Sequence, residues 1–220
     1  MKVDLHLHSR CSPDAVSSLE ELIEACQRRG LDALALTDHN TIRGALELRR
    51  IAPFPVIVGE EIRTARGELI GYFLQEEVPP RLSPEETIHR IREQGGLISV
   101  PHPFCRYRRS RLDHDVLAAL ADQVDMIEVF NSRNVHMKDN RLALKFAQER
   151  GKLFSAGSDA HTPGEVGNSF VEVEDCSTPA AFLAGLQTRR WTGHRALPTV
   201  HLVSRLAKSA ANLVGSFRRS

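Results

Sequence analysis

The sequence predicts an α/β fold, arranged as a reduced or distorted β/α barrel with a metal site at the C-terminal ends of its strands. Short apolar segments alternate with capped helical segments along the 220 residues, which is typical of a largely parallel sheet. Polar side chains of the kinds that bind metals follow six of the apolar segments. So many contributing strands favour a closed barrel, since an open sheet uses only the strand ends at its switch point. The chain is slightly short for eight complete β/α units.

The first strand is predicted at the start of the chain, where apolar and polar residues alternate. Val3, Leu5 and Leu7 share one face. His6 and His8 project together from the other face, as two metal ligands on one rigid element would. Incidental histidines on a half-exposed strand are the alternative, and the rest of the sequence decides between the two interpretations.

Helix boundaries are marked by capping residues. The segment Ser17–Glu20 (SSLE) is typical of a capping box and begins a helix that ends at Gly30. Ser83 and Pro84 begin another helix, which closes at Gly95. Similar patterns predict helices that end near residues 50, 121 and 150, and one that starts near residue 178.

The remaining strands are predicted as short apolar runs at residues 31–36, 55–58, 69–74, 97–100, 126–130, 153–156 and 170–173. Polar residues suited to binding metal or substrate lie at the strand ends: His8, His39, Glu61, His102, Asn131, Asp159 and His161. Because these ends form the active-site face of a β/α barrel, we expect the side chains to meet. Histidines that cap strands through backbone hydrogen bonds are the alternative.

Histidine and carboxylate ligands without cysteine favour zinc, manganese or iron. The candidate ligands outnumber those that one tetrahedral ion uses, so we expect two or three divalent metal ions. Such clusters generate hydroxide at neutral pH and hold the attacking and leaving oxygens of a phosphoryl or acyl group. The sequence therefore predicts metal-dependent hydrolytic chemistry.

Composition argues against several other classes of protein. The formal net charge of +1 gives no global field for nucleic acid or membranes, and the 5% of aromatic residues provide no stacking platform. No apolar run reaches the roughly 18 residues of a membrane-spanning helix. The four cysteines are scattered, and the charged N-terminal region does not resemble a secretory signal. We therefore expect a cytoplasmic protein with reduced thiols.

Five segments occur in an order that resembles a known family: Asp4–Ser9 (DLHLHS), Thr37–Asn40 (TDHN), Gly59–Ile62 (GEEI), Pro101–Pro103 (PHP) and Gly157–His161 (GSDAH). Together they resemble the PHP (polymerase and histidinol phosphatase) family and span nearly the whole chain. The resemblance implies a distorted seven-stranded, TIM-like β/α barrel, a trinuclear metal centre and the hydrolysis of phosphoesters.

The resemblance also implies three groups of metal ligands: His6, His8, Glu61 and Asp159; Asp14, His39 and His161; and Glu61 with His102. Glu61 is preferred over Glu60 because the bridging carboxylate of the family directly precedes an isoleucine. Glu68 departs from the family pattern, since many members have a histidine at this place. It is either a carboxylate ligand or a sign that the third site is weak or empty.

Arg106 is the predicted phosphate-binding residue. It lies closest to His102 in a basic loop, and a guanidinium suits phosphoryl oxygens. Its predicted role is to offset the charge that these oxygens carry during the reaction. Arg108, Arg109 and Arg111 in the same loop are interpreted as solvated residues.

Three further residues are assigned roles around the substrate. Asn131 is a candidate contact to substrate or metal, with a turn-forming asparagine as the alternative. His161, or a metal-bound water, is the candidate proton donor to the leaving group. Arg133 is a second and weaker candidate for binding phosphate.

The resulting prediction is a metal-dependent phosphoesterase that hydrolyses phosphate esters of a small metabolite or nucleotide with metal-activated hydroxide. An exonuclease acting on short oligonucleotides and a catalytically silent metal-binding scaffold are the alternatives; nucleic acid is not the expected partner. An amidohydrolase-like C–N hydrolase usually needs a carboxylated lysine, and no lysine ends a predicted core strand.

Residues 1–197 are predicted to form the barrel, and residues 198–220 a basic, amphipathic C-terminal helix. Apolar residues recur at helical spacing in this second segment, with arginine and lysine beside them. We expect the helix to pack on the barrel or on a second subunit, which would make the protein a homo-oligomer. A helix lying on a membrane surface is the alternative.

Overall fold

The computed structural model of the protein describes residues 1–197 and 199–217, with side chains described for all of these except 208 and 210–217. This part of the chain contains nine strands: β1 (Lys2–Leu7), β2 (Ala33–Leu36), β3 (Val56–Thr64), β4 (Gly67–Tyr72), β5 (Leu97–Val100), β6 (Met126–Asn131), β7 (Leu153–Gly157), β8 (Ser169–Glu172) and β9 (Trp191–Gly193). It also contains seven α-helices: α1 (Leu19–Arg28), α2 (Arg43–Ile51), α3 (Pro84–Glu93), α4 (His114–Leu120), α5 (Met137–Glu149), α6 (Pro179–Leu186) and α7 (Val200–Phe217).

Strands β1 to β7 lie side by side in chain order, and β8 and β9 extend the sheet beyond β1. Among β1 to β7, β4 is antiparallel to both of its neighbours and the other neighbouring pairs are parallel. Strand β8 is antiparallel to both β1 and β9. The ring closes just beyond β7, where the His8 amide donates to the Ala160 carbonyl at 2.8 Å and the Asp159 amide donates to the His6 carbonyl at 2.6 Å. The predicted distorted, seven-stranded TIM-like barrel is confirmed.

The barrel wall is buried on both faces, as β2 shows. Leu34 packs in the apolar layer beneath the outer helices, whereas Ala33 and Ala35 belong to the second apolar cluster. Tyr72 of β4 belongs to that second cluster, and its hydroxyl donates to the Leu5 carbonyl of β1 at 3.1 Å. Because β1 and β4 are not neighbours in the sheet, this bond crosses the barrel and identifies its interior.

Helix α1 begins one residue later than the sequence predicted. Ser18, not Ser17, is the N-cap: its hydroxyl accepts from the Glu21 amide, and the Glu21 carboxylate accepts from the Ser18 amide. The Ser17 carbonyl instead accepts from the Arg10 amide at 2.8 Å. This bond holds Ser17 in the preceding loop, so the capping box lies one position further along.

Glu61 lies inside a strand, and the expectation that it follows the end of a strand was wrong. β3 continues to Thr64, because a tight hairpin brings β4 back alongside it. Glu61 nevertheless reaches the active-site face, since its amide donates to the carbonyls of Thr37 and Asp38 just beyond β2. Strand β9 was not predicted either, because three residues are too few to show a period.

Helix α7 lies within residues 198–220, where the C-terminal helix was predicted. The second half of its expected apolar and basic pattern lies on side chains outside the described residues: Lys208, Ala210, Leu213, Val214, Phe217, Arg218 and Arg219. In the part of the chain that the structure describes, no helix has both the length and the apolar character needed to cross a membrane.

Gly157 is expected to be essential for closing the barrel. A Cβ atom at this position would lie 2.3 Å from the His6 Cβ and 2.8 Å from the His6 amide nitrogen. The substitution Gly157→Ala should therefore push β7 away from β1 and lower the free energy of unfolding by about 1–3 kcal/mol, as overpacking does. Urea denaturation measures this change.

The matched control is Gly164→Ala, since a Cβ atom there meets nothing within 4 Å. We expect its effect to stay within about 0.5 kcal/mol. Equal midpoints and slopes for the two variants would show that the β1–β7 contact does not limit stability.

Candidate metal centre

Nine side chains predicted as metal ligands meet at one end of the barrel. They come from the ends of β1, β2, β5 and β7, from within β3 and β4, and from the loop after β1: His6, His8, Asp14, His39, Glu61, Glu68, His102, Asp159 and His161. All are buried except Asp14 and His39, which are partly exposed. They meet because the parallel strands bring their C-terminal ends to one face of the barrel. The antiparallel β4 brings its N-terminal end, which carries Glu68, to the same face.

Two histidines at the end of β1 face two carboxylates in the first ligand group. The His6 Nε2 lies 3.4 Å from the Glu61 Oε2 and 3.6 Å from the Asp159 Oδ1. The His8 Nε2 lies 3.3 Å and 3.5 Å from the same two oxygens. Two ligand atoms that are each about 2.1 Å from a tetrahedral ion lie about 3.4 Å apart.

These four atoms are buried, and within the described chain none makes a hydrogen bond of good geometry. Buried polar atoms without partners are costly, and a divalent cation would satisfy all four at once. The donor set of the first group therefore fits a metal ion.

A second group gathers around Asp14. The Asp14 Oδ1 lies 3.5 Å from the His39 Nε2 and 3.5 Å from the His161 Nε2. The His161 Nδ1 lies 2.8 Å from the Asp159 carbonyl oxygen, so its Nδ1–H donates and its Nε2 faces the group. This group lies nearer to solvent, since the side chains of His39 and Asp14 are 19% and 15% exposed.

Glu61 connects the second group to a third. The Glu61 Oε2 lies 3.0 Å from the His39 Nδ1, and the Glu61 Oε1 lies 2.9 Å from the His102 Nε2. Its neighbour Glu60 points elsewhere and accepts a hydrogen bond from the Val78 amide. One carboxylate therefore contacts residues of all three groups, as a bridging ligand would.

Glu68 lies at the edge of the third group. Its Oε2 is 3.8 Å from the His102 Nε2, and its Oε1 accepts from Arg63 at 3.4 Å. Burial, and then the charge of Glu61, raise the pKa of Glu68 above its ordinary value. Glu68 is thus within reach of a shared ion, and its role as a ligand stays a prediction.

Positive side chains hold the buried carboxylates in their charged form. Burial alone would raise the pKa of Glu61, but the charges of His6 and His39 keep it well below its ordinary value. The pKa of Asp159 is held low in the same way against burial, first by Arg108 and then by His6. In the metal-free protein these carboxylates are therefore ionised, which is the form that binds a cation.

Two residues of the cluster adopt unusual backbone conformations. His102 has a φ of +32° and Asp159 a φ of +54°, both in the left-handed region that favours glycine. Such conformations cost about 1–3 kcal/mol each and persist only where the surroundings enforce them. Here the His102 amide donates to Glu128, and the Asp159 amide donates to the His6 carbonyl.

Glu128 is a residue of the site that the sequence analysis missed. Its Oε1 lies 2.9 Å from the His6 Nδ1, while its Oε2 accepts from the His102 amide at 2.6 Å and from the Asn131 Nδ2 at 3.0 Å. An acceptor at Nδ1 fixes the ring and directs the Nε2 of His6 towards the ligand group. The one feature of the sequence that could have indicated Glu128 is that it is a single acidic residue within an apolar strand.

His8 has a similar support. Its Nδ1 lies 3.3 Å from the Ser12 hydroxyl, which in turn donates to Asp38 at 2.7 Å. Asp38 also accepts from the amide and the hydroxyl of Ser9. This network holds the loop that follows β1 and orients the Nε2 of His8 towards the ligands.

The substitution Glu128→Gln should weaken metal binding by about ten- to a hundredfold, as the loss of a carboxylate that orients a ligand commonly does. The fold should persist, because glutamine fills the same volume. Calorimetric titration of the metal-free protein with Mn²⁺ or Zn²⁺ measures the change. Glu60→Gln is the matched control, since burial raises the pKa of Glu60 to about 8 and glutamine resembles its neutral form. Equal affinities for the two variants would contradict the role of Glu128.

The arginine predicted to bind phosphate, Arg106, does not point towards the ligand groups, whereas its neighbour Arg108 does. The Nε and Nη2 of Arg106 donate to Asp139, which is not one of the predicted ligands, at 3.2 and 3.1 Å. Arg108, interpreted from sequence as solvated, instead has a side chain only 21% exposed whose Nη2 contacts the Asp159 carboxylate. The loop therefore turns Arg108, rather than Arg106, into the cluster.

Asn131 is fully buried among the carboxylates. Its Nδ2 donates to Glu128 at 3.0 Å and to Asp159 at 3.1 Å, and its Oδ1 accepts from the Arg133 amide. With these bonds it positions two carboxylates. Its predicted contact with substrate stays a prediction that this geometry does not favour.

The comparisons with known proteins agree with this architecture. The sequence matches the family model described as the PHP domain over residues 4–136, and the model described as PHP-associated over residues 138–191. An uncharacterised protein of Methanocaldococcus jannaschii is 38% identical over 162 residues, which cover 66% of this chain and 90% of that protein. A second uncharacterised protein of the same organism is 39% identical over 178 residues, covering 80% of this chain and 71% of that protein.

A solved structure with a similar fold supports this architecture. It is a two-domain protein from Bacteroides vulgatus that is described as containing a PHP-like metal-dependent phosphoesterase. Its TM-score is 0.70 at 20% identity, over 88% of this chain and 65% of that chain, slightly less than two thirds. The described chain is thus a β/α barrel with a histidine- and carboxylate-rich cluster at one end. Because the family model covers more than half of its residues, the chain belongs to the PHP domain family.

Proposed function

We propose that the protein is a metal-dependent phosphoesterase that hydrolyses phosphate esters of a small metabolite or nucleotide. The observation that carries the proposal is the position of Glu61, whose two oxygens lie within 3.4 Å of nitrogens of four histidines. A carboxylate shared in this way suits two or three divalent ions, of manganese, iron or zinc. The phosphoesterase description of the Bacteroides vulgatus protein supports the same class.

The chain would hold these ions with the three ligand groups described above. Bound there, they would supply hydroxide at neutral pH and offset charge on the phosphoryl oxygens. Arg108 is proposed to bind the phosphoryl oxygens directly, because its guanidinium already lies against Asp159 in the cluster. His161 is proposed mainly as a ligand, since its Nε2 faces Asp14.

A catalytically silent metal-binding scaffold is the second candidate, and Glu68 favours it. This residue pairs with Arg63 and lies at the long distance of 3.8 Å from His102, which suits a weak third site. An enzyme and a scaffold are separated by turnover and not by metal content.

The test is a screen for phosphate release. The purified protein is loaded in turn with Mn²⁺, Fe²⁺ and Zn²⁺ and offered phosphomonoesters, nucleotides and short oligonucleotides. Release from small esters with at least one metal is the expected result. Release from oligonucleotides alone would favour an exonuclease, and metal binding without release from any substrate would favour the scaffold.

Three further predictions accompany the proposed function without being tested by the described structure. They are the boundary between residues 197 and 198, a homo-oligomer formed through α7, and a location in the cytoplasm. The four cysteines are free, which suits the last of these.

A further inference from the structure

The start of α7 lies beside the metal centre. A cavity of about 680 Å³ has Asp14 and His161 of the second ligand group on one side, and residues of α7 on another: His201, Leu202, Ser204 and Arg205. Cavities of roughly 300–1,000 Å³ take ligands of the size of a metabolite or nucleotide. The C-terminal helix therefore shapes the space in which a substrate of the ligand cluster would lie.

A buried arginine, Arg133, connects α7 to the loop after β7 that carries His161 and Glu165. The Nη2 of Arg133 donates to the Ser204 hydroxyl at 2.8 Å and to the Val200 carbonyl at 3.1 Å, although Arg133 itself is only 4% exposed. Its Nε lies 3.2 Å from the Glu165 Oε1, and the other oxygen of Glu165 accepts from the His161 amide. The position of α7 is thus tied to the loop that carries a predicted ligand.

The cavity is amphipathic. Arg108, which contacts Asp159, lines it together with Tyr107, Val135 and Leu202. These three apolar side chains are exposed to solvent, at 65%, 38% and 60% respectively. Exposed apolar side chains that gather around one cavity are typical of a binding site and not of a solvated surface.

We propose that the first two turns of α7 form the wall that contacts the leaving group of the substrate, with Leu202 as a specificity-determining residue. The ligand class is a phosphomonoester whose leaving group is apolar or aromatic. Its phosphoryl group lies at Arg108 and the ligand cluster, and its apolar part lies against Leu202. The identity of the ligand as a phosphomonoester rests on the proposed function. The contact between α7 and the ligand does not, because a binding experiment tests it without turnover.

The test compares two anions by calorimetry on the full-length, Mn²⁺-loaded protein. Inorganic phosphate has no leaving group, whereas phenylphosphonate carries an apolar ring that is not released. The substitution Leu202→Ser should raise the Kd of phenylphosphonate about three- to tenfold, as the loss of apolar contact does, and leave that of phosphate within about twofold. Leu206→Ser is the matched control, because Leu206 lies on the same helix, is 63% exposed and does not line the cavity.

Unchanged binding of phenylphosphonate by Leu202→Ser would overturn the inference, as would equal losses for the two anions or for the two variants. The absence of binding of both anions to the unaltered protein would overturn it as well. If the protein hydrolyses phosphate esters but Leu202→Ser does not selectively weaken phenylphosphonate binding, the proposed function stands and the role of α7 as a wall is wrong. If Leu202→Ser selectively weakens phenylphosphonate binding but the protein hydrolyses no ester, the role of α7 as a wall stands and the proposed function is wrong.

Discussion

Replacing Glu61 with glutamine is expected to reduce phosphate release at least about a thousandfold, on the order of 4 kcal/mol of transition-state stabilisation. The Glu61 carboxylate contacts residues of all three ligand groups. Glutamine keeps its size but carries no charge, and its nitrogen does not bind a metal as a carboxylate oxygen does. The metal content of the protein should fall together with the rate.

The control for this substitution is its neighbour on the same strand. Glu60→Gln changes a buried acid whose carboxylate accepts from the Val78 amide and lies outside the ligand groups. We expect its metal content and rate to stay within about threefold of the unaltered protein. A Glu61→Gln variant that keeps both its metal and its activity would contradict the bridging role of this residue.

Arg108→Gln is expected to lower kcat by about a hundredfold at saturating metal, which is typical for the loss of one preorganised donor to transition-state charge. The guanidinium reaches the Asp159 carboxylate at the centre of the cluster. Metal content should not fall, because Arg108 is not a metal ligand and its guanidinium competes with cations for Asp159. Steady-state kinetics combined with elemental analysis separates these two properties.

Arg106→Gln is the matched control from the same loop. Its guanidinium pairs with Asp139, and the side chain is 48% exposed, so we expect kcat within about twofold of the unaltered value. If Arg106→Gln were the variant that lost activity, the original sequence prediction would hold and the loop would rearrange on binding substrate. Losses of equal size in both variants would point to a general effect of the loop.

Much of the ligand cluster could be predicted from the sequence, because short local patterns place many of its residues at strand ends. The alternation in β1 places His6 and His8 on one face, and buried parallel strands bring their polar ends to one rim. Likewise, the capping residues of α1 and α3 located the starts of two helices to within one residue. These features depend on a few neighbouring residues, which the sequence displays directly.

Other features depend on contacts between distant parts of the chain. Glu128 meets His6 across 122 positions, so no local pattern indicates that this acid orients a ligand. The conformation of the loop after β5 decides that Arg108, and not Arg106, turns inwards. β3 extends past Glu61 because β4 supplies hydrogen bonds to it, and the sequence of β3 alone does not show this partner.

The metal content of the purified protein tests the central claim most directly. Elemental analysis is carried out after purification without chelators, and again after incubation with Mn²⁺, Fe²⁺ or Zn²⁺ and removal of the excess. We predict two or three ions per chain for the unaltered protein and a clear reduction for His8→Ala, which removes a ligand from the first group. At most one ion per chain under every condition, with no difference between the two proteins, would contradict the multinuclear centre.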